Sequence, residues 1–329
     1  MTALALDPAP VLLSFSAQND LVAPFRDGLF NGCAYGLLAL GIVLLYKSNR
    51  ILNFAQGEFA GVALVVSYCF DKGYTTKFGF SFPQTPYVIA VLLGVISAVL
   101  AAVLTQLIVV RPLFNQPRVV LVVATVGVSL LLIGVEGLMF PSTGTFRQVT
   151  DALNIVQPAF RIGQLPVQWF DLLRLAVLVG LAIGALLFFK RTAIGTAVLA
   201  VSQDPTAASV VGIQVQRVSL VTWALAGFLG GMAGVLPTAA VGSPLAPGVF
   251  TGIVLTAAFT AAVLGGITSL PGAFAGGILL GMVQAFAAAH AKDVPGLSGI
   301  PGRQDELVVF ALLLAVLVFR PAGLLGKEV

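Results

Sequence analysis

Nine stretches of roughly twenty predominantly apolar residues follow one another along the 329-residue chain, near 27–46, 51–70, 87–110, 118–140, 172–190, 218–241, 252–270, 271–291 and 306–320. About 20 apolar residues is what an α-helix needs to cross the hydrocarbon of a bilayer, and no water-facing fold could bury nine such segments. The composition agrees, with 58% of residues apolar and 9% charged, where a soluble domain carries about 25% charged. A soluble enzyme is excluded. The stretches are rich in Ala, Val, Leu and Gly and lack the ten-residue alternation of a membrane β-barrel. The expected fold is all-α and polytopic, with about 8–9 transmembrane helices. The last stretch is the weakest, with an unbroken apolar core of 13 residues from Leu307 to Phe319.

The few charges report sidedness. Connections after the first, third, fifth, seventh and ninth stretches hold nine of the 17 Lys and Arg residues, among them Lys47, Arg50, Lys190, Arg191 and Arg217, against only Asp204 and Glu328. The other connections hold eight basic and nine acidic residues over roughly twice the length. Basic charge concentrated in short loops marks the cytoplasmic face, which puts the C-terminus inside and an N-terminal tail, 1–26, outside. That tail has no Lys or Arg before Arg26 and does not read as a secretory signal. The net charge of +4 belongs to this topology and not to a nucleic-acid surface, since no run of five basic residues occurs. Cys33 and Cys69 both lie in apolar stretches and suit core packing, not a disulfide or a metal cluster. Two outer loops stand out, 71–86 and the longer 141–171 with Pro141, Pro158, Pro166 and Trp169.

Small residues recur at four-residue spacing, at Gly32 and Gly36, Gly57 and Gly61, Gly180 and Gly184, Gly230 and Gly234, Gly272 and Gly276, and Gly277 and Gly281. Such pairs let helix backbones approach closely. Ionisable groups inside the spans are costly, and Glu58, Glu136 and His290 are the candidates. Glu58 lies in Asn53-Phe-Ala-Gln56-Gly57-Glu58, a polar and flexible patch near the cytoplasmic end of the second span, so Asn53, Gln56 and Glu58 are expected along or beside a transport pathway. Glu136 and His290 fall near the outer ends of their spans, where an interfacial or structural role is expected.

The long cytoplasmic loop, 191–217, carries the most informative polar segment. Asp204-Pro205 reads as an N-cap followed by proline in the first turn, then Thr206-Ala207-Ala208-Ser209-Val210-Val211, stopped by Gly212. This is a short helix bounded at both ends, a connector in a form that fits a groove on a partner. Enzyme chemistry is missing. There is no phosphate-binding G-x-x-x-x-G-K-[ST], no H-E-x-x-H and no paired-cysteine motif, and His290 is the only histidine. No cofactor or metal is expected.

At Gly195 to Ile213 the chain resembles the permease subunits of ABC importers, whose cytoplasmic loop has two alanines followed four residues later by a glycine. It is more specifically similar to the branched-chain amino acid permease family. The likeness also rests on Phe30-Asn31-Gly32 to Gly41, on Ile51 to Glu58, on Ala261 to Ala273, and on Phe319-Arg320-Pro321-Ala-Gly323-Leu-Leu-Gly326, in family order over nearly the whole chain. The Asn-Phe-Ala-x-Gly-Glu form is similar to the first of the two permease types. Departures at Gln56, where histidine is common, and at Gln216, where an acid is frequent, leave the substrate open among branched-chain amino acids, urea, short amides and related solutes.

The resemblance implies a single transmembrane permease domain over 27–326 in a bacterial inner membrane. It implies a second, related permease as heterodimer partner, two ATP-binding cassette subunits and an external solute-binding protein. Asp204, Pro205, Ala207, Ala208 and Gly212 would form the coupling helix that docks on the ATPase. The alternative is a stand-alone secondary transporter or channel, which would need an intramembrane relay that only Glu58 is placed to start.

Overall fold

The computed structural model describes residues 16–76, 79–114, 116–139, 158–162, 165–241, 252, 254–290, 304–319 and 323–325. Helix α1 (Ser16–Asn49) is apolar on every side from Gly36 to Leu45, and a helix segment of that kind belongs in an interior. In its most apolar window 83% is buried, against 22% for the helices at 118–138 and 172–191. After it come α2 (Gln56–Lys72), α3 (Tyr87–Leu104) continued by a π-helical turn (Thr105–Val110), α4 (Arg118–Met139) and α5 (Trp169–Arg191). The short α6 (Ala193–Gln203) and α7 (Pro205–Val210) precede α8 (Val215–Val241), α9 (Leu255–Gly265), α10 (Leu270–His290) and α11 (Gln304–Phe319).

The expected count of 8–9 crossing helices is not met by length alone. Among the described residues six helices are long and apolar enough to span, at Leu21–Asn49, Tyr87–Val110, Arg118–Leu138, Leu172–Arg191, Val215–Leu236 and Leu270–His290. Within the described residues the three other expected spans are helices of 17, 11 and 16 residues, α2, α9 and α11, at or below the short end of the range for a crossing. Hydropathy could not register the difference at α2, because the apolar Ile51 and Ala55 ahead of it are buried in non-helical backbone. The N-terminal side also differs, since α1 begins at Ser16 within the expected tail. In the loop 141–171, β1 (Pro158–Ile162) and β2 (Leu165–Gln168) pair as an antiparallel ribbon; residues 141–157 of that loop lie outside the described residues.

Glycines set the tightest contact. A Cβ on Gly277 or Gly281 would lie against the backbone of Gly36 or Gly32, and one on Gly28 against the Cα of Met282 at 2.8 Å. Two of the glycine pairs thus face each other across the α1–α10 seam. Gly230 and Gly234 pack on Gln56 and Ala60 of α2, and Gly272 and Gly276 on the end of α9, whereas Gly180 and Gly184 of α5 have nothing within 4 Å. The outer helices present apolar side chains to the outside. On α3 these are Val88, Leu92, Ile96 and Leu100, at four-residue steps along one side, a face suited to lipid.

Two breaks complete the bundle. Leu324 and Leu325 donate their amides to the Leu264 and Gly265 carbonyls at 2.8 and 3.1 Å, so the chain's C-terminal residues satisfy the open end of α9. After α1 the backbone turns at Arg50, whose φ of 55° is left-handed, and residues 51–55 run back into the bundle before α2 starts. Gln56 of α2 then lies beside Gly41, eight residues and about 12 Å back along α1 from its last residue.

Candidate functional site

Three groups of candidate side chains emerge, and the first is the capped helix α7. One Asp204 carboxylate oxygen accepts from the Thr206 and Ala207 amides at 2.8 and 3.0 Å, with Pro205 in the first turn. The helix stops where the Ile213 amide reaches back to the Ala208 carbonyl at 3.0 Å across Gly212, whose φ is 90°. Cap, proline and left-handed glycine sit where the sequence places them. Ala208 turns inward, 4% exposed, while Asp204, Pro205 and Ala207 are exposed. What the composition of the loop did not single out is its tip, where Val210 and Val211 are 81% and 75% exposed. Two large apolar side chains on a six-residue helix are a contact surface awaiting cover. A cleft of about 580 Å³ lies beside them, walled by Gln106 and Arg111 of the α3 end and by Ser209, Ile213 and Arg217.

The last residues of α1 hold both flanks of this segment. Arg50 donates to the Ser202 carbonyl at 2.6 Å, placing a cation on the C-terminal end of α6. On the other flank, the Ser219 hydroxyl donates to the Asn49 side-chain oxygen, and Thr222 to the Ser48 hydroxyl, both at 3.0 Å. Arg50 therefore points away from Glu58.

The second group lies at the far end of α1. Asp27, Asn31 and Tyr35 fall at four-residue steps on one helix face and, with Gln284 of α10, line a cavity of about 540 Å³. Asn31 is exposed, and the Asp27 side chain is 51% exposed beside Arg26 at 2.9 Å. Polar side chains exposed on a membrane span cannot face hydrocarbon without large cost, so this face belongs to water or to another subunit. Its signal in the sequence was the spacing 27, 31, 35, masked by the apolar residues between. Arg174, near the start of α5, is a charge the sequence alone did not single out. It is buried, 5% exposed, with its guanidinium 4.0 Å over the Phe30 ring.

The third group is Asn53, Gln56 and Glu58, each fully buried and none on a wall of the cavities described above. Asn53 accepts from the Ala55 amide at 3.0 Å, the Phe54 amide donates to the Thr125 hydroxyl at 3.2 Å, and the Gln56 side chain donates to the Ala226 carbonyl at 2.9 Å. Irregular backbone at membrane depth persists only where protein supplies its hydrogen bonds, and these residues supply them. Glu136 of α4 joins this group. Its carboxylate and that of Glu58 both lie against Gly61, the Glu58 Oε2 being 3.1 Å from where a Cβ on Gly61 would stand and the Glu136 Oε1 closer. Sequence separation gave no hint of that meeting. His290 closes α10, its ring stacked on Phe286 and Nδ1 3.1 Å from the Phe286 carbonyl. Among the described residues no group of three metal-ligating side chains occurs.

Residues 25–317 match the family described as branched-chain amino acid transport system / permease component. The high-affinity branched-chain amino acid transport system permease protein BraD of Pseudomonas aeruginosa is 29% identical over 313 residues, covering 92% of this chain and 94% of that one. The corresponding LivH of Salmonella typhimurium is 27% identical, over 92% and 94%. A probable branched-chain amino acid transport permease protein LivH of Methanocaldococcus jannaschii is 27% identical, over 89% and 88%.

Proposed function

This chain belongs to the branched-chain amino acid transport permease family, and from that premise we propose that it carries branched-chain amino acids, or a closely related small solute, through the inner membrane of a bacterium. It is the permease subunit of an importer, a multi-pass membrane protein that supplies a path and leaves ATP hydrolysis to other subunits. In the proposed assembly it pairs with a second, related permease, two ATP-binding cassette subunits bind on the cytoplasmic side, and an external binding protein delivers ligand. The density of basic charge near Asn49, Arg111, Lys190 and Arg217 supports an inside position for that end of the bundle and for the C-terminus. The short helices α2, α9 and α11 are read as completing eight to nine passes, each reaching partway and relying on neighbours for its backbone hydrogen bonds.

The observation that carries this reading is the capped helix Asp204–Gly212, with its exposed Val210 and Val211, held on both flanks by Ser48, Asn49 and Arg50. In the proposed mechanism α7 seats its valine tip in the ATPase. Closure of the ATPase pair pulls α7, and the clasp formed by Ser48, Asn49 and Arg50 passes the displacement to α1. The polar face at Asp27, Asn31 and Tyr35 lies from 14 to 22 residues up the same helix, about 20–33 Å away. One rigid rod thus joins the docking point to the path, with Asn53, Gln56 and Glu58 beside that path as the supports of the broken α2 entry.

The test is leucine uptake in membranes together with ATPase co-purification. Val210→Glu/Val211→Glu is expected to leave the protein in the membrane, to lose the ATPase on purification and to reduce uptake to background. Undiminished co-purification and uptake would overturn the coupling assignment.

A further inference from the structure

Beside the clasp, on the same end of the bundle, lies a second cavity of about 530 Å³, bounded by the last turns of α1 and α5, by α6 and by the start of α10. Three cations stand in its wall, Lys47, Arg50 and Lys190. None has an ion pair among the described residues, where the pairs are Arg26 with Asp27 and Lys72 with Asp71. Asp204, the acidic residue of the adjoining loop, uses a carboxylate oxygen to cap α7. Arg50 spends one nitrogen on the Ser202 carbonyl, and a guanidinium carries further donors in the same plane. The first turn of the 21-residue α10 also opens here, through Leu270 and Pro271, adding the positive end of a helix dipole.

The rest of the wall is of the opposite character. Leu186, Phe189 and Leu199 form an apolar side. On the adjoining face of α5, Ile183 and Leu187 are each 51% exposed to the outside. The apolar side of the cavity therefore adjoins an exposed apolar face of α5, with its charge at the level where that helix ends. Thr268 and Gln203 add neutral hydrogen-bonding groups between the two parts.

We propose that this cavity binds the phosphate of an anionic phospholipid, held by Lys47, Arg50 and Lys190, with an acyl chain lying along α5. Cationic pockets between spans at the cytoplasmic surface suit acidic headgroups, and three uncompensated cations around one space otherwise repel one another. Anything carrying a phosphate meets the same three cations, so free phosphate is the competing source. The site needs only a bilayer and does not depend on what is transported.

The full chain, purified in detergent, is offered an equimolar mixture of phosphatidylglycerol and phosphatidylcholine, and retained lipids are counted by native mass spectrometry. In a separate arm it is titrated with inorganic phosphate and its thermal stability followed. The wild type is expected to retain phosphatidylglycerol with about tenfold preference. Lys47→Gln/Lys190→Gln is expected to lose that preference, and the charge-conserving Lys47→Arg/Lys190→Arg to keep it, which separates loss of charge from loss of fold. Stabilisation by inorganic phosphate with the same dependence on both variants, and without a lipid preference, would assign the site to free phosphate and overturn the lipid proposal. Equal retention of the two lipids with no effect of phosphate would overturn the site altogether, as would a phosphatidylglycerol preference untouched by the glutamine substitutions.

Discussion

Asp204 shows how much one side chain can do in a short helix. A six-residue helix has almost no internal stability, so its shape rests on the two amides taken by Asp204, the preset φ of Pro205 and the left-handed Gly212. Asp204→Ala is expected to cost about 1 kcal/mol of local stability and to weaken ATPase co-purification several-fold, with Asp204→Asn restoring most of it. Gly212→Arg adds a side chain at a φ of 90°, at a cost of about 1–2 kcal/mol. It is expected to leave the protein in the membrane and to reduce uptake far more than abundance, as measured by immunoblot beside transport; normal uptake with normal ATPase association would count against it. This segment was legible because its cap, proline and stop lie within nine consecutive residues. Glu58 with Glu136, and Arg174 over Phe30, were not, because each depends on a partner that only packing brings near.

At the scale of elements the glycine spacing foretold close helices and could not say which. Gly32 and Gly36 meet Gly277 and Gly281, while Gly180 and Gly184 meet nothing within 4 Å, although the spacing is the same. Gly277→Leu is therefore expected to force α1 and α10 apart and lower the melting temperature of the purified protein by several degrees, or to abolish its accumulation. Gly180→Leu is expected to melt like the wild type, because open space surrounds it. The polar face of α1 makes a separate case. Asn31→Leu removes an exposed amide without touching the seam, and it is expected to lower uptake several-fold while ATPase co-purification stays normal. The positions of the long spans were readable from hydropathy, although α1 starts at Ser16, well ahead of the expected 27. The true start of α2 at Gln56 was not, since an apolar run looks the same whether its backbone is helical or turns back between helices.

For the whole molecule, sidedness is open to direct measurement. A cysteine at Ser209, beside the valine tip, is expected to react with a membrane-impermeant maleimide only after the cells are permeabilised. One at Gly79, in open space at the opposite end, is expected to react in intact cells. Cys33 and Cys69 are both fully buried and should stay silent, so the native chain serves as its own blank. The broken entry into α2 carries a different consequence, for biosynthesis. The Phe54 amide is met by Thr125, 71 positions onward, and the Gln56 side chain by Ala226, 170 positions onward. A growing chain offers residues 51–58 to the membrane before either partner has been made, when an unmet amide in hydrocarbon costs several kcal/mol. Synthesis order and settling order must then differ: the second helix is made early, and it takes its final place only after the eighth has arrived.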